Sequence, residues 1–206
     1  LKVLSETVSA RPWPEVLIPL VSAGKPLTLP ARLVQPLNGG FETDPDTAWT
    51  KAIVGPAGAL IYSRQQKPLP NTDGDRFVWL GGTADQRKSI EQKVILAPRH
   101  GGITLRFRYW LYSEERDCTS SADRVLVSSG DKTLEYVMCE ARRTFNPALG
   151  HGWVEGELAL GPGSGQQVTL SFSSSLDDDD RNSNFFLDNV RLCSTDPNAA
   201  SGDKCP

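Results

Sequence analysis

The 206-residue chain is long enough to bury one sizeable core, and its formal charge of -3 argues against a nucleic-acid partner, which would call for a basic surface. No run approaches the ~18 apolar residues of a membrane-spanning helix. Leu1-Lys2-Val3-Leu4 is followed at once by polar residues, so a secreted chain would already have lost its signal peptide.

Residues 1–35 differ in kind from the rest and read as an extended, proline-rich arm. Six of the fifteen prolines (Pro12, Pro14, Pro19, Pro26, Pro30 and Pro36) fall in the first 37 residues. Val16, Ile18 and Leu20, then Leu27, Leu29, Ala31 and Leu33, alternate with polar or proline positions. Proline cannot donate to a ladder, which confines such runs to sheet edges. Lys2, Arg11, Lys25 and Arg32 against Glu6 and Glu15 give this stretch a formal +2, leaving -5 on the remainder. An apolar, mildly basic arm beside an acidic body suits a sheet edge, either its own or that of a neighbouring copy.

Beyond the arm, helical periodicity is nearly absent and strand signals recur. The pattern predicts strands near 58–63, 76–80, 89–96, 103–112, 123–128, 133–139, 152–160, 166–174 and 184–193. Turn chemistry at Gly101-Gly102, Gly130-Asp131 and Gly161-Pro162-Gly163 separates several of them. In the central run, Leu105, Phe107, Tyr109 and Leu111 share one face, while Arg106, Arg108, Trp110 and Tyr112 share the other. About nine antiparallel strands without helices imply an all-β fold of two packed sheets.

Four cysteines allow three pairings. Cys118 and Cys139 flank two strand-like runs joined by Ser129-Gly130-Asp131, so a hairpin brings them together. Cys193 ends the last strand, leaving Cys205 to fold the 194–206 tail back onto it. Two disulfides, rather than four separately buried thiols, place the protein outside the cytoplasm.

Two acidic residues stand beside β-type sequence at opposite ends of the body: Glu42 after Leu37-Asn38-Gly39-Gly40-Phe41, and Asp188 within Asn184-Phe185-Phe186-Leu187-Asp188-Asn189-Val190. If these segments lie side by side, both carboxylates converge on a hard cation. The two motifs, with Trp79-Leu80-Gly81-Gly82, resemble bacterial secreted jelly-roll domains of the galactose-binding-like group, which includes many carbohydrate-binding modules. The resemblance covers about residues 36–193. It implies a two-sheet antiparallel jelly-roll β-sandwich and a structural Ca2+ held by Glu42 and Asp188. Carbonyls near Asn38 and Gly40, and the Asp73-Gly74-Asp75 turn, are the implied further ligands.

Catalytic chemistry is sparse. His100 and His151 read as surface-turn residues, and neither has a histidine partner at metal-ligand spacing. Gly-x-Ser-x-Gly and His-Glu-x-x-His are absent. The obvious acidic pairs, Glu114-Glu115 and Asp177 to Asp180, sit in loops; the second reads as a solvated segment, a weaker cation site or a patch for a basic partner. Trp110 and Tyr112, beside Arg106 and Arg108, are the candidate sugar platform, although large aromatics more often pack in cores. The sequence therefore points to a non-catalytic extracellular or cell-surface protein. Its leading reading is a calcium-stabilised jelly roll that assembles, as a filament, sheath or adhesin subunit, by lending residues 1–35 to a neighbouring copy. The alternative is a carbohydrate-binding module.

Overall fold

The body is built from strands whose side chains alternate between a shared interior and an outer face. A computed structural model describes residues 32–44, 46–55, 58–67, 73–82, 84–98, 100–116, 118–119, 123–144, 152–179 and 181–205, with the backbone of 21–22 and 25–26. In the latter, β1 (Val21–Ser22) and β2 (Lys25–Pro26) pair antiparallel; the rest of the arm up to Ala31 lies outside the described residues.

Two five-stranded antiparallel sheets face each other. One has β3 (Thr50–Val54), β6 (Arg87–Ile95), β11 (Gln167–Ser175), β8 (Arg124–Ser129) and β9 (Lys132–Val137) side by side in that order. The other runs β10 (Val154–Gly161), β7 (Ile103–Ser113), β12 (Ser183–Ser194), β5 (Arg76–Trp79) and β4 (Ile61–Ser63). β7 and β12, the longest strands, lie at the centre of the second sheet and pair from Ser183 against Ser113 to Ser194 against Ile103. Their register shifts between Asp188 and Arg191, where Asn189 adopts φ +49°. This bulge bends the strand beside the opening motif.

The interior follows the expected alternation. Leu105, Phe107 and Leu111 of β7 meet Phe172 and Leu170 of β11, Ile90 of β6 and Val127 of β8, all at most 1% exposed. Phe107 and Phe172 pack edge to face at 5.2 Å between ring centres. Nine predicted strands match observed ones to within about three residues at their ends. The tenth sandwich strand, β3, escaped the sequence pattern because its five residues leave only Ile53 half-buried.

Both expected disulfides form. Cys118–Cys139 ties the loop after β7 to the end of β9, and Cys193–Cys205 returns the C-terminal segment to β12. His100 departs from expectation. It is 2% exposed, not a surface-turn residue, with Nδ1 3.0 Å from Ser194 Oγ on β12. His151 lies outside the described residues.

The end of the arm lies on its own body. Leu33 is buried in the core, and its N–H donates to Asp203 Oδ2 at 3.3 Å. The Gln35 side chain pairs with the Leu192 backbone through two 2.8 Å hydrogen bonds, as a strand neighbour would. Buried Gln92 does the same for Leu37, accepting its N–H at 2.7 Å and donating to its carbonyl at 2.9 Å.

Candidate functional site

The opening and closing motifs meet, as the sequence suggested, beside the bulge midway along β12. The Val190 N–H donates to the Gly39 carbonyl at 2.8 Å, and a Cβ at position 39 would stand 2.0 Å from the Val190 carbonyl oxygen. Only glycine allows this approach. Asn38 and Phe41, both at positive φ (+50° and +60°), turn the chain so that Phe41 drops into the core against Trp49.

Glu42 and Asp188 are both anchored on the Asp73-Gly74-Asp75 turn. Asp188 Oδ2 accepts the Asp73 N–H at 2.9 Å, and Oδ1 accepts the Asn189 N–H at 2.7 Å. From the other side, Glu42 Oε1 accepts the N–H groups of Asp75 at 3.1 Å and Arg76 at 2.9 Å, and Oε2 also accepts that of Asp75. Gly74, at φ +98°, lies beneath the Glu42 carboxylate, where a Cβ would fall 2.5 Å from Oε1.

Electrostatically, Asp188 is the strained member. It is fully buried, and burial, with a smaller push from the Asp73 charge, raises its carboxyl from 3.8 to about 7 despite two backbone donors. Arg108 opposes this weakly. Asp73, held by Asn189 Nδ2 at 2.6 Å, offers a second carboxylate to a cation. A hard cation therefore fits the chemistry of Asp188 and Asp73, with Glu42 Oε2 retaining spare acceptor capacity. The implied carbonyl ligands are a different matter. The Asn38 carbonyl is taken up by the Phe41 N–H and Trp49 Nε1–H, and its side chain by Asp46 and Thr43, so Asn38 holds the turn instead of facing the acids. The Asp75 carbonyl accepts the Arg64 N–H at 2.8 Å. Gly40 sits in the same turn, its Cβ position 3.9 Å from Glu42 Cγ.

The proposed sugar platform is not an open one. Trp110 is 8% exposed, covered by Gly152, whose Cβ position lies 2.4 Å from the indole, and packed on Trp153 and Phe186. With Phe77, these rings form a second apolar cluster on the outer face of the β10-β7-β12-β5-β4 sheet. Tyr112 lies beneath the Arg143 guanidinium at 4.5 Å, Arg108 lies 5.6 Å from the Trp153 ring, and Arg106 pairs with Glu157 at 3.5 Å. The four residues share a face, as read, but the ring that would stack on a sugar is spent on packing.

A feature the sequence did not reveal lies on the opposite sheet. A groove of about 440 Å³ crosses the outer face of β3-β6-β11-β8-β9. Its floor is made of small residues in register, with Ala52 beside Ser89 and Ser89 beside Ser173. Val54 and Leu126, 65% and 39% exposed, give it apolar walls. Arg87 lines one end, and the Arg124–Glu135 pair, 2.7 Å apart, lines the other.

Among solved structures, the carbohydrate-binding module TmCBM61, determined in complex with beta-1,4-galactotriose, superposes with a TM-score of 0.52 at 15% identity. The match covers 77% of this chain and 96% of that one. The body has the jelly-roll β-sandwich fold of carbohydrate-binding modules. Weaker likenesses include the CBM22-1 xylan-binding domain of Paenibacillus barcinonensis Xyn10C (TM-score 0.42, 12% identity, 81% of this chain and 96% of that). The enzymatically active domain of bacteriophage CBA120 tailspike protein 4 also matches (TM-score 0.46, 14% identity, 75% and 20%). No protein-family model matches the chain, and no curated protein matches it significantly. Among the described residues, no helix is long and apolar enough to cross a membrane.

Proposed function

We propose that this chain is a non-catalytic carbohydrate-binding module of a secreted or cell-surface protein, and that its oligosaccharide site is the groove across β3-β6-β11-β8-β9. The groove carries the reading. Five strands at about 4.8 Å spacing make a trough about 19 Å wide, room for several sugar rings laid across the strands. Serine hydroxyls on the floor, with Arg87, Arg124 and Glu135 at the rims, supply donors and acceptors for sugar hydroxyls, while Val54 and Leu126 face ring C–H groups. The fold likeness to a module solved with a galactotriose supports this class of ligand, and two disulfides support an oxidising compartment.

Filling the floor tests it. Ala52→Trp should abolish retention on soluble polysaccharides in affinity electrophoresis while the protein stays folded; unchanged retention would remove the groove from the account. Trp110→Ala is the control for the opposite face. The reading in which residues 1–35 join a neighbouring copy is not favoured by the part of the arm that is described, since Leu33 bonds to its own C-terminal segment and Gln35 to its own β12.

A structural calcium ion belongs to the same proposal, with Asp188, Asp73 and Glu42 as its carboxylate ligands. It would hold Asp188 ionised and clasp the 73–75 turn between the first and last segments of the body.

A further inference from the structure

The acidic segment that the function leaves unused meets a second acid from the other sheet. Glu115 lies just beyond β7, and Asp177 and Asp179 lie just beyond β11, so one strand from each sheet delivers carboxylates to the same end. One oxygen from each of the three lies within 4.8 Å of the others. Asp123 is adjacent, 2% exposed, with Oδ1 accepting the Asp177 N–H at 2.7 Å. Against these carboxylates stands Arg181, whose Nη1 lies 3.1 Å from Glu115 Oε2 and 3.3 Å from Asp179 Oδ2.

The independent sign of a ligand is Glu115. The residue is 3% exposed, and its second oxygen, Oε1, is buried with no hydrogen-bond donor against it among the described residues. A buried carboxylate oxygen left without a donor costs on the order of 1–3 kcal/mol, more when charged. One guanidinium does not neutralise the group. The three carboxylates leave net negative charge there, which a further cation would offset.

We propose that Glu115, Asp177 and Asp179 form a site for a hard divalent cation, calcium by the chemistry of its oxygens, joining the ends of the two sheets. Carboxylates converging from two loops match the irregular, oxygen-rich shell that calcium accepts, with water completing it. The site is distinct from the Asp188 clasp and does not depend on the glycan reading. Arg181 competes for the same oxygens, so it sets the affinity low.

Titration calorimetry of chelator-stripped protein with calcium chloride tests this in the Asp188→Asn background, which removes the other proposed ion. Asp179 is exposed, so Asp179→Asn leaves the core intact and should weaken the remaining calcium binding about tenfold or more. Arg181→Gln should tighten it several-fold, an effect that a purely structural ion pair would not give. Identical isotherms with and without Asp179→Asn, or no calcium heat in that background, would overturn the site and leave a shared proton as the occupant.

Discussion

Asp188 makes the stability of this protein depend on pH in a direction opposite to the usual carboxylate. Its carboxyl is raised from 3.8 to about 7 in the folded state, chiefly by burial. Between those two values the folded chain keeps a proton that the unfolded chain has lost, so unfolding free energy falls as pH rises through this window and levels off above it. At about 1.4 kcal/mol per tenfold change in proton affinity, the loss is on the order of 4 kcal/mol. Asp188→Asn carries no titratable proton and removes this component. One of its amide edges then faces a backbone N–H, which offsets about 1–3 kcal/mol of the benefit. The assay is urea denaturation followed by tryptophan fluorescence, in chelator, from pH 5 to pH 8. The wild-type curve should fall more steeply with pH than that of Asp188→Asn, and the difference between them isolates the residue from Glu115, Asp123 and Asp177, which shift the same way. Added calcium should raise the wild-type curve most at pH 8, where the carboxylate is ionised, and raise that of the variant less, through the Glu115, Asp177 and Asp179 oxygens alone. Parallel curves in chelator would refute the argument that burial governs this group.

Gly39→Ala should cost on the order of 3 kcal/mol or prevent folding, because its methyl group would lie 2.0 Å from the Val190 carbonyl; thermal unfolding reads this directly. Replacing Cys193 and Cys205 together by serine opens a link spanning 12 residues and should remove about 3 kcal/mol, measured as a lower denaturation midpoint. Lys88, whose ammonium is lowered to about 8 mainly by burial, donates to the Gly81 carbonyl at 2.6 Å. From about pH 8 to 10.5 the unfolded chain holds the extra proton, so stability gains with pH across that window, and Lys88→Met should flatten the gain in the same urea assay.

Much of the sandwich was legible because alternation reports burial directly: Leu105, Phe107, Tyr109 and Leu111 had only one face to offer a core. That the Glu42 and Asp188 segments lie side by side was legible through the resemblance, which also pointed to the 73–75 turn, but not that each carboxylate would be held by that turn's N–H groups. β3 was not, since an edge strand with one half-buried residue leaves no alternating signal. His100 misled because its glycine neighbours suggest a surface turn, whereas Ser194 draws the ring inward. The groove could not be seen either. Alanine and serine floors announce nothing in a sequence, and a depression exists only once strands are placed in register. Glu115 and Asp177 lie 62 positions apart, just beyond strands of different sheets, and no local pattern relates them.

The grip of Gln35 on Leu192, one residue before the Cys193–Cys205 bond, has a mechanical consequence. Tension applied between residues 32 and 205 loads the Leu33–Asp203 bond and the Gln35–Leu192 amide pair, on its way to the Cys193–Cys205 disulfide, before it reaches the ladders of the sandwich. Pulling on single molecules should register a low-force rupture of small extension, removed by Gln35→Ala, ahead of the main unfolding event; a single rupture in both proteins would mean that load enters the sheets directly.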